Sequence, residues 1–182
     1  MPTYKSGGQL TFFSYAAAVT ADGNRTRISP QASYYGGPVT VFGEYARSSQ
    51  DLRKSATDTL RVDNSAWEAT GAVLLTGETA SPSSAGVQPK KPIDPGKGQW
   101  GALELVARVN ALSVDPDAFT RAYADETKSA EKARAWGVGL NWYLNLHVKQ
   151  VVDFERTTYT GGKTGGNRSP ENAFFIRTQV AF

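Results

Sequence analysis

The chain lacks cysteine altogether and has a single histidine, His147, in 182 residues. A disulfide framework and a thiolate metal site are thereby excluded, and little is left for transition-metal binding or nucleophile–histidine chemistry. Charge of one sign is lacking too. Lys and Arg number 20 against 17 Asp and Glu, a formal +3 that implies no general affinity for nucleic acid. No run approaches the ~20 apolar residues of a transmembrane helix, and helical hydrophobic periodicity is nearly absent. The opening "MPTYKSGGQL" has no apolar stretch of a secretory leader. That leaves the expectation of either a cytoplasmic protein or a piece of a longer chain.

What is present is glycine, 18 residues of it, with 11% aromatic residues. The closing stretch "ENAFFIRTQVAF" sets the pattern. Phe174, Ile176, Thr178, Val180 and Phe182 fall on one side, and Phe175, Arg177, Gln179 and Ala181 on the other. Period two with unlike sides is the signature of a strand between two environments. Similar segments begin at Gln9, Thr26, Val39, Ala66, Gln99, Arg134 and Val148. Turn signals separate them, such as Gly36-Gly37-Pro38 and Asn145-Leu146-His147. Residues 49–64, 81–98, 113–132 and 160–172 read as connections, with a helical turn or two expected within Ala118–Lys132. The result is about eight strands of ~10 residues, the length that crosses a bilayer when tilted.

Sorting by alternation gives two faces. Trp136, Val138, Leu140 and Trp142 oppose Gly137, Gly139, Asn141 and Tyr143; Leu103, Leu105 and Val109 oppose Glu104 and Arg108; Val39, Val41 and Tyr45 oppose Thr40, Phe42 and Glu44. Lys149, Asp153 and Glu155 lie opposite Val152 and Phe154. Aromatics near the ends of the apolar faces suit the girdles of an outer-membrane barrel. The expected fold is therefore all-β, an antiparallel up-and-down transmembrane barrel, with 1–182 a single domain. Ion-pathway candidates are Glu44, Glu104, Arg108, Asn141, Lys149, Asp153, Glu155, Arg177 and Gln179, with ion pairing of Asp153 and Glu155 to Lys149 and Arg177 expected across the wall. The small or charged inward residues Gly137, Gly139, Asn141, Glu104, Thr40 and Glu44 suit a wet interior better than a dry core. A soluble sandwich, or a self-closed eight-stranded barrel acting as a small outer-membrane or ligand-binding protein, is the alternative.

With the C-terminus placed on the periplasmic side, residues 21–25, 49–64, 113–132 and 160–172 fall outside, and 36–38, 77–98 and 145–147 inside. The long inner loop 77–98 breaks the usual rule of tight periplasmic turns. Its Lys90, Lys91 and Lys97 against Asp94 are expected to attract anions at the inner mouth, unless the loop simply hangs free.

Other motifs fail on inspection. "TTYTGGKT" has Thr157 where a P-loop needs its first glycine, and a strand follows. Asp115, Asp117 and Asp125 fit no EF-hand spacing. Asn24 and Asn167 match the glycosylation pattern by chance. No cofactor, metal or enzymatic activity is expected.

The blocks "DGNRTRISPQASYYGGPVTVFGEYA", "LLTGE", "WGALELVARVNAL" and "GLNWYLNLHVKQVVDFERT" followed by "ENAFFIRTQVAF" resemble the C-terminal half of the phosphate-selective porin O/P family. The resemblance implies a trimeric, sixteen-stranded outer-membrane porin of Gram-negative bacteria, passing small anions such as phosphate. It implies that Ile176, Val180 and the terminal Phe182 form the signal read by the outer-membrane assembly machinery. It further implies that the chain is about half a barrel, with the arginine ladder and constricting loop of the family coming mainly from the other half.

Overall fold

Alternation over long stretches becomes a meander of antiparallel strands. The computed structural model describes residues 1–82 and 87–181. Its strands are β1 (Thr3–Lys5), β2 (Thr11–Ser14), β3 (Thr20–Ile28), β4 (Gln31–Gly36), β5 (Val39–Arg53), β6 (Thr59–Leu74), β7 (Ala102–Ser113), β8 (Ala130–Tyr143), β9 (Val148–Lys163), β10 (Gly166–Asn167) and β11 (Glu171–Val180). One short helix, α1 (Asp117–Thr120), and a 3-10 turn at Pro95–Lys97 complete the described elements. β3 and β4 pair in succession along β5, and β10 and β11 along β9, so the nine-stranded sheet has seven columns, running β3/β4, β5, β6, β7, β8, β9, β10/β11. Every pairing in it is antiparallel and joins neighbouring columns. The break between β3 and β4 falls at Pro30, whose ring nitrogen has no proton to give the ladder. Gly36 pairs with Val39 across the next turn, where Gly37 takes φ +55°, a region open to glycine at no steric cost.

Four sequence expectations are corrected, the first being the connection at 21–25, which lies within β3 as an irregularity between Ala21 and Arg25 in its pairing with β5. The segment from Gln9 is no strand of the sheet: its Thr11–Ser14 pairs with Thr3–Lys5 as a separate hairpin. The polar stretch 49–64 is mostly strand, because β5 and β6 stay in register from Val39↔Val73 to Arg53↔Thr59, leaving 54–58 as the connection. Period two persists there under the charges. Leu52, Leu60 and Val62 are buried on one side while Asp51, Arg61 and Asp63 lie on the other, and Arg61 reaches Asp51 at 3.2 Å. Likewise β9 runs on to Lys163, into what reads as a loop from Thr160. The extended β5–β6 pair also weakens the contrast between long and short connections.

The hairpin β1–β2 lies on one face of the sheet. Phe12 and Phe13 are buried there with Leu52, Val62, Tyr123 and Tyr159, at the end where α1 packs. The Ser14 amide donates to Ser129 Oγ at 3.1 Å, and Asn64 Nδ2 donates to the hydroxyls of Tyr4 (2.9 Å) and Tyr15 (3.1 Å). At the opposite end of the same face, Val87 packs with Leu74, Ala102 and Tyr143. The sheet thus has a covered face, with the hairpin at one end and the β6–β7 loop at the other, and an open face.

That loop is anchored at Glu78. The Thr76 hydroxyl and the Lys90 amide (3.1 Å) donate to its carboxylate, and Thr76 Oγ1 accepts from the Leu103 amide at 3.1 Å. Burial pushes the Glu78 carboxyl up, but these donors outweigh it and hold the group below its ordinary value. A depressed carboxylate stabilises above its unfolded pKa, about 4.3, and that contribution is lost as pH falls through the lower folded value. Amide protection at Lys90 and Leu103, read by hydrogen exchange, should therefore hold at pH 7 and drop below about pH 4. In Glu78→Gln it should be weak already at pH 7, with no acid step; equal protection of the parent at both pH values would contradict the anchor.

Candidate functional site

Register lines up the covered face in rows. One row runs Phe42, Thr70, Arg108, Gly137, Glu155, Ala173. Arg108 and Glu155 are two strands apart, yet Nη2 reaches Oε2 at 2.6 Å. Gly137 stands between them in the row and places no side chain there. Glu155 is only 6% exposed, and the hairpin's Gly7 sits so close to its carboxylate that a Cβ would overlap it. Gly8 sits in the same way on Glu171, which also accepts from the Tyr159 hydroxyl at 2.7 Å. Beneath the hairpin lies a cavity of about 360 Å³ lined by Lys5, Glu44, Glu68, Arg108, Asn110 and Glu155 among others.

Farther along, Glu104 is buried and accepts from Asn141 Nδ2 (2.7 Å) and the Tyr143 hydroxyl (2.9 Å). Asp153 lies over Gly139, and Lys149 Nζ sits 5.2 Å from the centre of the Tyr143 ring. The pairing expected of Asp153 and Glu155 with Lys149 and Arg177 is corrected: Glu155 pairs with Arg108, and neither Lys149 nor Arg177 forms an ion pair among the described residues. The reason lies in the register: Arg108, Gly137 and Glu155 fall in one row, and the position between the pair carries no side chain. Arg177 and Gln179 share this face of β11, opposite Val151 and Lys149. Glu44 accepts from the Ser29 hydroxyl.

Two basic residues absent from the sequence reading share the face. Arg25 and Arg27 line a second cavity with Tyr4, Ser29, Glu44 and Asn64. Neither forms an ion pair among the described residues; Arg25 Nε makes a long 3.4 Å contact with Ser48 Oγ. The "RTR" spacing is the signal that points to them, since period two sends both side chains to one side.

The loop lysines divide. Lys90 Nζ donates to the Gly77 carbonyl, Lys97 pairs with Asp94 at 2.8 Å, and Lys91 is exposed. Ile176 and Val180 lie on the open face of β11, 71% and 53% exposed, while Phe182 lies outside the described residues.

The open face is the apolar one. Val41, Val109, Val138, Leu140, Val152 and Phe174 are all exposed on it. Tyr45 and Trp67 pair near one end of the band, and Trp142 Nε1 donates to the Trp100 carbonyl at the other. A sheet that shows contiguous apolar surface outward and carries charge and packed segments on its inner side is organised as a membrane-spanning β-barrel wall, the architecture of outer-membrane channels. The profile of the phosphate-selective porin O and P family matches residues 9–182, and the chain belongs to that family. No curated protein matches the chain.

Proposed function

We propose that the covered face lines a water-filled passage in the bacterial outer membrane through which small anions, phosphate among them, diffuse passively. The observation that carries this reading is the excess of unpaired bases over unpaired acids on that face. Glu104, Glu155 and Glu171 are each engaged by donors of neighbouring side chains; Glu68 and Asp153 form no ion pair among the described residues, but they are outnumbered by Arg25, Arg27, Lys149 and Arg177, equally unpaired, which keep donors for a passing phosphate oxygen. The loop lysines, Lys91 above all, add positive potential near the other end, felt most at low salt.

The seven-column sheet is one wall of a larger ring. Its two edge columns, β3/β4 and β11, are separated by six antiparallel pairings and so run in the same direction. Joining them directly would make a parallel seam, which disfavours the self-closed small barrel. A trimer of such rings, and capture of β11 by the assembly machinery through Ile176, Val180 and Phe182, complete the proposal.

The test is reversal potential across a planar bilayer under a phosphate or chloride gradient. Arg25→Glu with Arg27→Glu should shift selectivity toward cations, and the Lys90, Lys91 and Lys97 triple change to Glu should do so more weakly and mainly at low ionic strength. Unchanged selectivity in the arginine pair would overturn the anion reading; unchanged selectivity in the lysine triple at low salt would make the loop a passive tether.

A further inference from the structure

Cations on the open face fall into two unlike groups. On the β5–β6 pair they are neutralised within the chain: Arg47 with Asp63 at 3.0 Å, Arg61 with Asp51 at 3.2 Å and Arg53 with Asp22 at 2.9 Å. On β8 and β9 they are not. Alternation puts Lys132 and Arg134 on the open face, since Ala133 and Ala135 line the cavity under the hairpin. Arg156 is directly opposite Trp136, with Glu155 and Thr157 on the cavity side. None of the three forms an ion pair among the described residues, and Arg156 makes one 3.3 Å hydrogen bond to Asn172 Oδ1. Arg156 is directly across from Trp136, which is exposed at the edge of the apolar band, and Arg134 and Lys132 continue along β8 from it, two and four residues away.

We infer that Lys132, Arg134 and Arg156 form a site for a phosphate-bearing lipid headgroup, with Trp136 at the boundary between headgroup and acyl chains. The inference rests on the reading of the open face as membrane-facing. An indole at a bilayer interface marks the depth at which lipid phosphates lie. Three cations from that depth outward, with no carboxylate of the chain paired to them, form a positive patch that an anionic headgroup neutralises. Lys132 and Arg134 are two residues apart on one strand, about 6.6 Å, and Arg156 is diagonal to Arg134 on the next, close enough for one phosphate group to meet more than one of them.

The experiment is native mass spectrometry of the folded chain in neutral detergent, titrated with diphosphoryl lipid A or with phosphatidylcholine. The parent should retain lipid A preferentially. Lys132→Gln, Arg134→Gln and Arg156→Gln together should lose that preference, by roughly fivefold for each cation removed. Arg61→Gln, on the self-neutralised pair, should leave it unchanged. Equal retention by parent and triple variant overturns the site, as does displacement of lipid A by millimolar inorganic phosphate, which would mean a free-anion site. Loss of a higher oligomer in the triple variant, with lipid binding unaltered, would assign the cluster to contact with a second copy and also overturn it. Failure of the membrane reading itself is separable, because the parent would then not insert into vesicles at all.

Discussion

Leu140→Arg should cost the folded state about 2–4 kcal/mol, while Asn141→Arg, one residue on, should be mild. The two side chains leave the same strand in opposite directions. Leu140 is on the open face in a row with Leu105 and Val152, with apolar neighbours on both sides. A guanidinium there is stripped of water without a partner. Asn141 is on the covered face beside Glu104, whose carboxylate would accept a new cation. Fraction folded in bilayer vesicles, followed by the heat-dependent gel shift against urea, distinguishes the two. Equal midpoints would mean that the two faces have been assigned wrongly or that neither meets lipid.

Arg108→Met should be the most damaging single change on the covered face. It leaves Glu155, 6% exposed and pressed by Gly7, as a buried carboxylate without its cation. Breaking one partner out of a buried pair costs about 3–5 kcal/mol, and the lower figure applies because Arg108 is itself 46% exposed. Arg108→Met combined with Glu155→Gln should recover most of the loss, since the penalty is for the orphaned charge and not for the absence of the pair. The same urea titration reads both. A double variant as unstable as the single one would refute this account. A Gly137→Val change offers an independent check: the ideal Cβ already lies 3.1 Å from the Phe154 carbonyl oxygen, and a branched side chain would also obstruct the path between Arg108 and Glu155.

Much of the wall is legible in the sequence because period two is a local property. The split between Trp136, Val138 and Leu140 on one side and Gly137, Gly139 and Asn141 on the other needs no knowledge of neighbouring strands. Pairing is not local. Nothing in the spacing of Arg108 and Glu155 announces that β7 and β9 bring them within 2.6 Å across a glycine, so Lys149 and Arg177 look like the nearer partners. The hairpin is hidden for a related reason. "QLTFFSYAAAV" alternates no worse than the true strands, and only the burial of both Phe12 and Phe13, successive residues on opposite sides of β2, shows that it is enclosed on both faces. The strand extensions from Ser49 to Arg53 and from Thr59 to Asn64 were obscured by charge. Hydrophobic contrast fades where the outer side meets water and ion pairs replace apolar contacts.

The common direction of β3/β4 and β11 sets an arithmetic condition on any ring built from this sheet. In a barrel whose neighbours are all antiparallel, strand directions alternate, so the total is even. Seven columns therefore demand an odd complement. Two copies of the sheet alone fail the condition: together they make an even total, but each junction between copies joins two strands of like direction, giving two parallel seams. Nine further strands satisfy it and bring the ring to sixteen, within the range known for outer-membrane barrels. Insertion or deletion of a single strand anywhere in the complement would reverse its direction at one seam, whereas insertion of a whole hairpin would leave both seams intact. Length variation in such walls is thus constrained to pairs of strands, a rule imposed by backbone polarity independently of any side chain.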